Sequence, residues 1–179
     1  MEPDDETLAK AAQGGDAAAF ETLVTRHYDL IYRLGFRILG TRDAAQDLAQ
    51  DICAALPAKL RGFRGKARFT TWLFRIVSNA AIDRIRRRQS RDKALDGWGE
   101  ITQLARADDA QKQQETAWLH QAMNRLTPEL RQTVALVLSE EMTHAEAARV
   151  LDLSEGTISW RMSEVKKMLR QMAREEAVE

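Results

Sequence analysis

The chain has 179 residues, which is enough for one ordinary domain or two small ones. Its residues are 44% hydrophobic and 30% charged, which suits two thin helical bundles, and the scarcity of alternating Val, Ile and Thr argues against a sheet. One cysteine, Cys53, excludes an internal disulfide, and neither a basic leader nor an apolar run of about 20 residues is present. We therefore expect a cytoplasmic protein.

The charges balance overall but are sorted along the chain. Lys and Arg number 27, as do Asp and Glu, so that the formal net charge is +0. Residues 61–93 nevertheless carry 11 Lys and Arg against 2 Asp and Glu, whereas residues 1–60 carry 6 against 10. A focused positive patch on a neutral protein is typical of a protein that binds a polyanion and has other partners.

Helical periodicity predicts two helices before the basic segment. The first covers 17–39, where apolar residues recur at helical spacing. The second covers about 43–60 with Thr41 as its cap, and Pro57 is expected to kink it or end it early. Residues 61–69 hold two glycines and four cations and predict a loop. Thr70 or Thr71 should then cap a helix that ends in the basic run 84–88.

A linker and a second helical domain are predicted beyond this run. After a helix that ends at Leu126, Pro128 is well placed to begin the next. The buried face expected for that helix is Leu130, Val134, Val137 and Leu138. Two shorter helices should follow at about 143–151 and 155–172. We predict an all-α fold of two small helical domains, 1–90 and 114–179, joined by a flexible linker at 91–113.

Residues 143–169 predict a helix-turn-helix in the C-terminal domain. Thr143 and Ser154 are placed to cap two short helices separated by the turn 152–154, and the second helix of such a motif fits the major groove. The inward face of the second helix is Ile158, Met162, Val165 and Leu169, and the outward side chains are Trp160, Arg161, Ser163 and Lys167. An ordinary helical hairpin is the alternative. The small residues Gly156, Thr157 and Ser159 favour DNA because they allow backbone amides to approach a phosphate.

The segment 63–88 interleaves aromatic rings with cations. The rings are Phe63, Phe69, Trp72 and Phe74, and the cations among them are Arg64, Lys66, Arg68 and Arg75. Cations follow the backbone of single-stranded DNA while rings stack on its bases, which contributes about 1–3 kcal/mol per base. The alternative is a core of rings with a solvated basic face. We favour the core for Trp72, and nucleic acid for the cations because a solvated face would also carry acids.

An acidic stretch precedes the basic one, and no catalytic pattern accompanies either. Asp43, Asp47 and either Gln50 or Asp51 share a helical face, which is a solvated surface or a protein-docking surface. The three histidines lack partners at metal-ligand spacing, and the chain has no glycine-rich phosphate loop. We expect no enzyme activity, no metal and no cofactor, and we interpret Cys53 as a small buried hydrophobe.

Three segments in this order resemble the extracytoplasmic-function (ECF) sigma factors of bacterial RNA polymerase over nearly the whole chain. AQDLAQD at 45–51 is similar to the polymerase-docking helix of that family, and FRGKARFTTWL at 63–73 is similar to the element that melts and reads the minus-ten region. LTPELR at 126–131 with GTISWRM at 156–162 is similar to the domain that reads the minus-thirty-five element. The resemblance implies an alternative sigma factor that binds core RNA polymerase and directs initiation at particular promoters.

The resemblance also implies three sets of binding residues. The clamp helices of the polymerase beta-prime subunit would contact Asp47, Gln50 and Asp51. Minus-ten DNA, partly single-stranded, would contact Phe63, Arg64, Lys66, Phe69, Asn79, Asp83 and Arg86. Duplex minus-thirty-five DNA would contact Thr157, Ser159, Trp160, Arg161, Ser163 and Lys167. The sequence departs from the family pattern at Ser159 and Trp160, where the family often has Lys or Arg and then Ser, and at Glu164, which replaces a frequent Arg.

Further partners follow from the same resemblance. The C-terminal domain would meet the polymerase beta flap, and an anti-sigma factor would keep the chain inactive and could hold it at the membrane without membrane insertion. Two other classes stay open. A helix-turn-helix repressor would bind duplex DNA tightly without polymerase, and an anti-sigma antagonist that mimics a sigma domain would bind a regulator without supporting transcription. Neither class accounts for both the basic-aromatic segment and the groove helix.

Overall fold

The structure is a computed structural model that describes residues 3–95, 118 and 121–176. Across these ranges the chain is helical and forms no strand, which confirms the predicted all-α class. The helices, in chain order, are α1 (Asp5–Gln13), α2 (Ala17–Leu39), α3 (Arg42–Leu60), α4 (Phe69–Leu95), α5 (Pro128–Val134), α6 (His144–Leu151) and α7 (Glu155–Glu176). Residues 121–125 are also helical, and a π-helical turn, Ala135–Ser139, follows α5 directly.

Local sequence signals explain where the first helices begin and end. Asp4 begins α1 by accepting from the Thr7 backbone N–H at 2.8 Å, and Asp16 begins α2 by accepting from that of Ala19 at 3.0 Å. Gly40 ends α2 in the left-handed region, with φ of 83°, where other residues are strained. The bounds of α2 agree with the predicted helix at 17–39, whereas α1 was not predicted.

Several predicted boundaries were wrong. Helix α3 continues through Pro57 to Leu60, because Pro57 removes only one backbone donor near the helix end while Leu56 and Leu60 on either side are buried. Helix α4 begins at Phe69, so Thr70 and Thr71 lie inside its first turn rather than at its cap. It extends to Leu95, into the predicted linker at 91–113, whose residues 96–113 lie outside the described residues, as do 114–117 of the C-terminal domain.

The N-terminal half is a bundle in which α2 contacts α1, α3 and α4. Its fully buried side chains include Leu23, Ile31, Leu34, Ile38, Leu48, Leu56, Leu73 and Val77. Gly35 allows α2 and α3 to approach closely, since a Cβ there would lie 3.0 Å from Leu48 Cδ2. The bundle leaves the residues between α3 and α4 at its surface.

Apolar side chains of the C-terminal half are buried in two hydrophobic clusters. Leu126, Leu130, Val134, Met162 and Val165 form a small cluster within this half. Leu136, with Ala147, Ala148 and Val150 of α6 and Ile158 of α7, joins the larger core of the N-terminal bundle. Helix α7 ends at Glu176 rather than near 172 as predicted. The two halves are therefore packed together in this structure.

The π-helical turn changes which side chains of this region are buried. The Glu140 backbone N–H donates to the Ala135 carbonyl at 3.1 Å, a bond that spans five residues and rotates the chain relative to an α-helix. Leu136 is consequently buried, whereas Leu138 is 59% exposed. The prediction that Leu138 lies in the core was wrong.

Arginine side chains connect the two halves. Arg75 donates from Nε to the Val150 carbonyl at 2.9 Å and from Nη2 to the Arg149 carbonyl at 2.6 Å, at the C-terminal end of α6. Ion pairs join Arg33 to Glu140 at 3.1 Å and Arg86 to Glu129 at 2.8 Å. Arg131, which is only 7% exposed, donates to the Ile38 carbonyl at 3.3 Å, and its burial lowers its pKa.

We expect Arg75→Ala to loosen the packing of the two halves, because it removes two charge-assisted hydrogen bonds to carbonyls that end α6. The free energy that holds the two halves together should fall by about 1–2 kcal/mol. The fall is smaller than for fully buried hydrogen bonds because this side chain is partly exposed to solvent. Small-angle X-ray scattering should then give a larger radius of gyration than for the wild type. Arg87→Ala, which removes an exposed cation of the same helix, is the control; equal radii for the wild type and both variants would contradict this role of Arg75.

Candidate nucleic-acid interface

The loop at 61–68, between α3 and α4, presents a group of exposed cations. These are Arg61, Arg64, Lys66 and Arg68. The loop begins with two turn hydrogen bonds, from the Gly62 N–H to the Lys59 carbonyl and from the Phe63 N–H to the Leu60 carbonyl, both 2.9 Å. Gly65 adopts a left-handed conformation with φ of 66°. The arrangement places several positive charges together in solvent, where they suit a phosphate backbone.

Three aromatic rings lie at the base of this loop. The Phe63 ring centroid is 5.1 Å from that of Trp72 and 5.7 Å from that of Phe69. Phe63 and Trp72 are half-buried, whereas Phe69 is 0% exposed and packs on the His27 ring at 5.3 Å. Phe69, which was predicted to contact DNA, is thus a fully buried ring that packs beneath the loop in this structure.

Helix α4 carries a polar strip beyond the loop. Asn79, Asp83 and Arg86 are exposed and spaced by four and three residues, which places them on one face. Arg86 donates to Glu129 of the C-terminal half at 2.8 Å, and this hydrogen bond lowers the pKa of the Glu129 carboxyl. All three strip residues line a pocket shared with Arg161. Side chains predicted to contact two different promoter elements therefore face each other across that pocket.

The predicted helix-turn-helix caps are confirmed. Thr143 and Glu146 form a reciprocal capping box at the start of α6, in which the Glu146 N–H donates to Thr143 Oγ1 at 3.2 Å. Asp152 turns the chain with φ of 58°, and the Thr157 N–H donates to Ser154 Oγ at 3.1 Å at the start of α7. The two helices are thereby held at a fixed turn, as a groove-binding motif requires.

The outward face of α7 differs from the prediction at one residue. Trp160 is 61% exposed, and Ser159, Ser163 and Lys167 are exposed as well. Thr157 is half-buried beside Ser154, and Ser159 Oγ lies 2.9 Å from His144 Nδ1. Arg161, which was predicted to project outward, instead turns back and donates to Thr133 Oγ1 at 3.3 Å, and partial burial lowers its pKa. Its guanidinium is therefore engaged within the C-terminal half.

The acidic face of α3 is exposed. Its members are Asp43, Asp47, Gln50 and Asp51. Arg84 of α4 donates to the Asp51 carboxylate and, at 3.2 Å, to the Asp47 carbonyl. The Asp47 carboxylate and the Gln50 amide remain in solvent, so that this face offers acceptors to a basic partner.

Among the described residues we find neither a cluster of metal ligands nor a helix that could span a membrane, and Cys53 is partly buried. No group of three or more His, Cys, Asp or Glu side chains among them is arranged to hold a metal ion. Cys53 is half-buried against the core, as its interpretation as a small hydrophobe requires, and burial raises the pKa of its thiol. Of the helices that the structure describes, none has the length and apolarity to cross a bilayer.

Helix α1 contributes two side chains to the loop that the sequence did not indicate. Glu6 Oε1 accepts from the Phe69 N–H at 3.0 Å, and Gln13 Nε2 donates to the carbonyls of Leu60 and Phe63. Asp4 followed by an acidic first turn is a helix-start signal that could have located α1. No local pattern indicates contacts that join residues about 50 positions apart, as the Gln13 bonds do.

The comparisons with known proteins identify two regions of one family in this chain. Residues 23–91 match sigma-70 region 2, and residues 116–169 match sigma-70 region 4. The ECF RNA polymerase sigma factor SigM of Mycobacterium tuberculosis is 31% identical over 172 residues, which cover 96% of this chain and 85% of SigM. The ECF RNA polymerase sigma factor SigW of Bacillus subtilis is 28% identical, with 93% of this chain and 95% of SigW covered.

Two solved structures are similar over most of their length. CnrH, in complex with the cytosolic domain of CnrY, has a TM-score of 0.67 at 26% identity, and the match covers 95% of this chain and 97% of that chain. The sigma factor RpoE in complex with the anti-sigma factor NepR from Bartonella quintana also has a TM-score of 0.67, at 21% identity, covering 87% of this chain and 96% of that chain. The second likeness shows the fold alone.

Proposed function

Since this chain belongs to the ECF class of RNA polymerase sigma factors, we propose that three exposed surfaces have separate roles in promoter recognition. They are the acidic face of α3, the loop at 61–68 and the outward face of α7. A sigma factor is not an enzyme: it binds core RNA polymerase and directs initiation to particular promoters. The observation that carries the division of work is the loop at 61–68, whose exposed cations stand beside the half-buried Phe63 in the chain, with the Phe63 ring 5.1 Å from that of Trp72. We assign residues 1–90 to polymerase and minus-ten binding, 114–179 to minus-thirty-five binding, and 91–113 to the connection.

The loop captures the separated non-template strand. Arg64 and Lys66 follow the phosphates, and Phe63 offers a ring face to a base that only melted DNA exposes. Asn79, Asp83 and Arg86 contact the upstream edge of the minus-ten element from α4. Phe69 supports the loop from the core instead of touching DNA.

Helix α7 enters the major groove of the upstream duplex. Trp160 is its exposed large hydrophobic side chain, and it is flanked by Ser159, Ser163 and Lys167, while Thr157 lies at the helix start. Arg161 joins them after it leaves Thr133. Each surface binds DNA weakly alone, and polymerase holds both at a fixed separation, which raises the effective concentration of each for its promoter element.

The packed arrangement of the two halves suits a silent state. Arg86 and Arg161 line the same pocket between the halves, and we propose that the halves separate when both arginines bind DNA. RpoE is similar in fold and is bound by an anti-sigma factor, and we propose that an anti-sigma factor likewise keeps this chain inactive. The chain then works in the cytoplasm, where transcription occurs, and a membrane-bound regulator would hold it at the membrane without insertion.

The acidic face of α3 docks on the beta-prime clamp helices of polymerase through Asp47, Gln50 and Asp51, and the C-terminal half meets the beta flap.

We expect the double substitution of Asp47 and Asp51 by Ala to weaken binding to core polymerase by about tenfold, since interface charges set both the rate and the strength of association. Fluorescence titration of core polymerase at moderate salt measures this affinity. The double substitution of Glu21 and Asp29 by Ala changes the charge equally on α2, and equal affinity for both variants would contradict the docking role.

Substitutions in the loop and in α7 should produce defects in different assays. Arg64→Ala should lower the permanganate reactivity of promoter thymines by about three- to tenfold, because a lost phosphate contact weakens strand capture. Trp160→Ala should instead alter the preferred minus-thirty-five bases while leaving strand capture on a pre-melted template unchanged. Unchanged thymine reactivity in Arg64→Ala, or loss of capture on the pre-melted template in Trp160→Ala, would contradict the assignment.

A further inference from the structure

We infer that α1 sets the geometry of the strand-binding loop, with Glu6 and Gln13 as positioning residues that clamp its two ends. The inference rests on the proposed function of residues 61–68 and goes beyond it to a helix that lies before the sigma-70 region 2 match, which begins at residue 23. Neither residue needs to touch DNA. Each would act through backbone groups of the loop.

Gln13 holds the end where α3 passes into the loop. Its Nε2 donates to the Leu60 carbonyl at 2.6 Å and to the Phe63 carbonyl at 2.7 Å. The amide gives the Leu60 carbonyl at the end of α3 a second donor beside the Phe63 N–H, and it pairs the Phe63 carbonyl in the loop itself. It thereby fixes the backbone of Phe63, the half-buried aromatic residue within the loop.

Glu6 holds the opposite end. Its Oε1 accepts from the backbone N–H of Phe69, the first residue of α4, at 3.0 Å. A carboxylate at a helix N-terminus is favoured both by the unpaired N–H groups and by the helix dipole. Since Thr70 and Thr71 lie inside the helix and do not cap it, α1 supplies a partner that the local sequence lacks.

Helix α1 is anchored independently of these two contacts. Leu8 and Ala9 are buried in the core, and the Asp5 carboxylate accepts from Arg26 Nη1 at 2.6 Å and lies 2.9 Å from His27 Nε2. One rigid helix therefore holds both ends of a loop whose glycines, Gly62 and Gly65, would otherwise allow many backbone conformations. Restricting the loop before DNA arrives lowers the entropy lost when the strand binds.

The test compares Gln13→Ala and Glu6→Ala in holoenzyme assembled with core polymerase. The probe is a fluorescent single-stranded oligonucleotide with the non-template minus-ten sequence of a promoter that the wild-type holoenzyme transcribes. We expect each variant to bind it about three- to tenfold more weakly, as the loss of one or two hydrogen bonds implies. Glu6→Gln keeps an acceptor oxygen and should retain most of the affinity, and Lys10→Ala, an exposed change on α1, should have no effect.

Two further measurements separate positioning from folding. Affinity for core polymerase and helix content by circular dichroism should stay at wild-type values in all four variants. If Gln13→Ala and Glu6→Ala bind the strand as well as the wild type, or lose strand affinity only in proportion to polymerase binding or helix content, the inference is overturned. A wild-type holoenzyme that fails to bind the strand at all would overturn the proposed function, and this inference with it.

Discussion

The buried stripe of α4 is the constraint on which the other surfaces depend. Its fully buried members are Phe69, Leu73, Val77 and Ala81. Because this stripe must face the bundle, the loop before it lies at the surface, the polar strip containing Asn79 and Arg86 faces outward, and Arg75 reaches the end of α6. One amphipathic helix thus determines where the loop, the polar strip and the Arg75 contact with α6 lie.

Periodicity and capping chemistry were sufficient to predict much of this architecture from the sequence. The all-α class, the bounds of α2 and the capped turn before α7 follow from interactions between residues three or four positions apart, which the sequence displays directly. The acidic face of α3 was predicted from the same spacing, whereas the loop with its exposed cations was predicted from its glycines and its charge composition. Their roles came instead from the resemblance to a family, since exposure alone does not distinguish a solvated face from a docking surface.

What could not be predicted depends on contacts between distant residues or on a local change of helical register. Phe69 was placed against DNA by the family resemblance, and only the packing on His27 reveals it as core. Leu138 was placed in the core by α-helical spacing, which the π-helical turn interrupts. Arg161 turns toward Thr133, and Glu6 replaces the expected threonine cap of α4, because the partner in each case comes from another element.

The central claim is tested most directly by run-off transcription. The assay uses purified bacterial core RNA polymerase, this chain as the sole sigma factor and a library of promoter sequences. The expected result is initiation at a small subset of templates that share one minus-thirty-five and one minus-ten sequence, with no initiation by core polymerase alone. Initiation should disappear when the spacing between the two elements is changed by half a helical turn. A chain that neither associates with core polymerase nor supports any specific transcript would contradict the account.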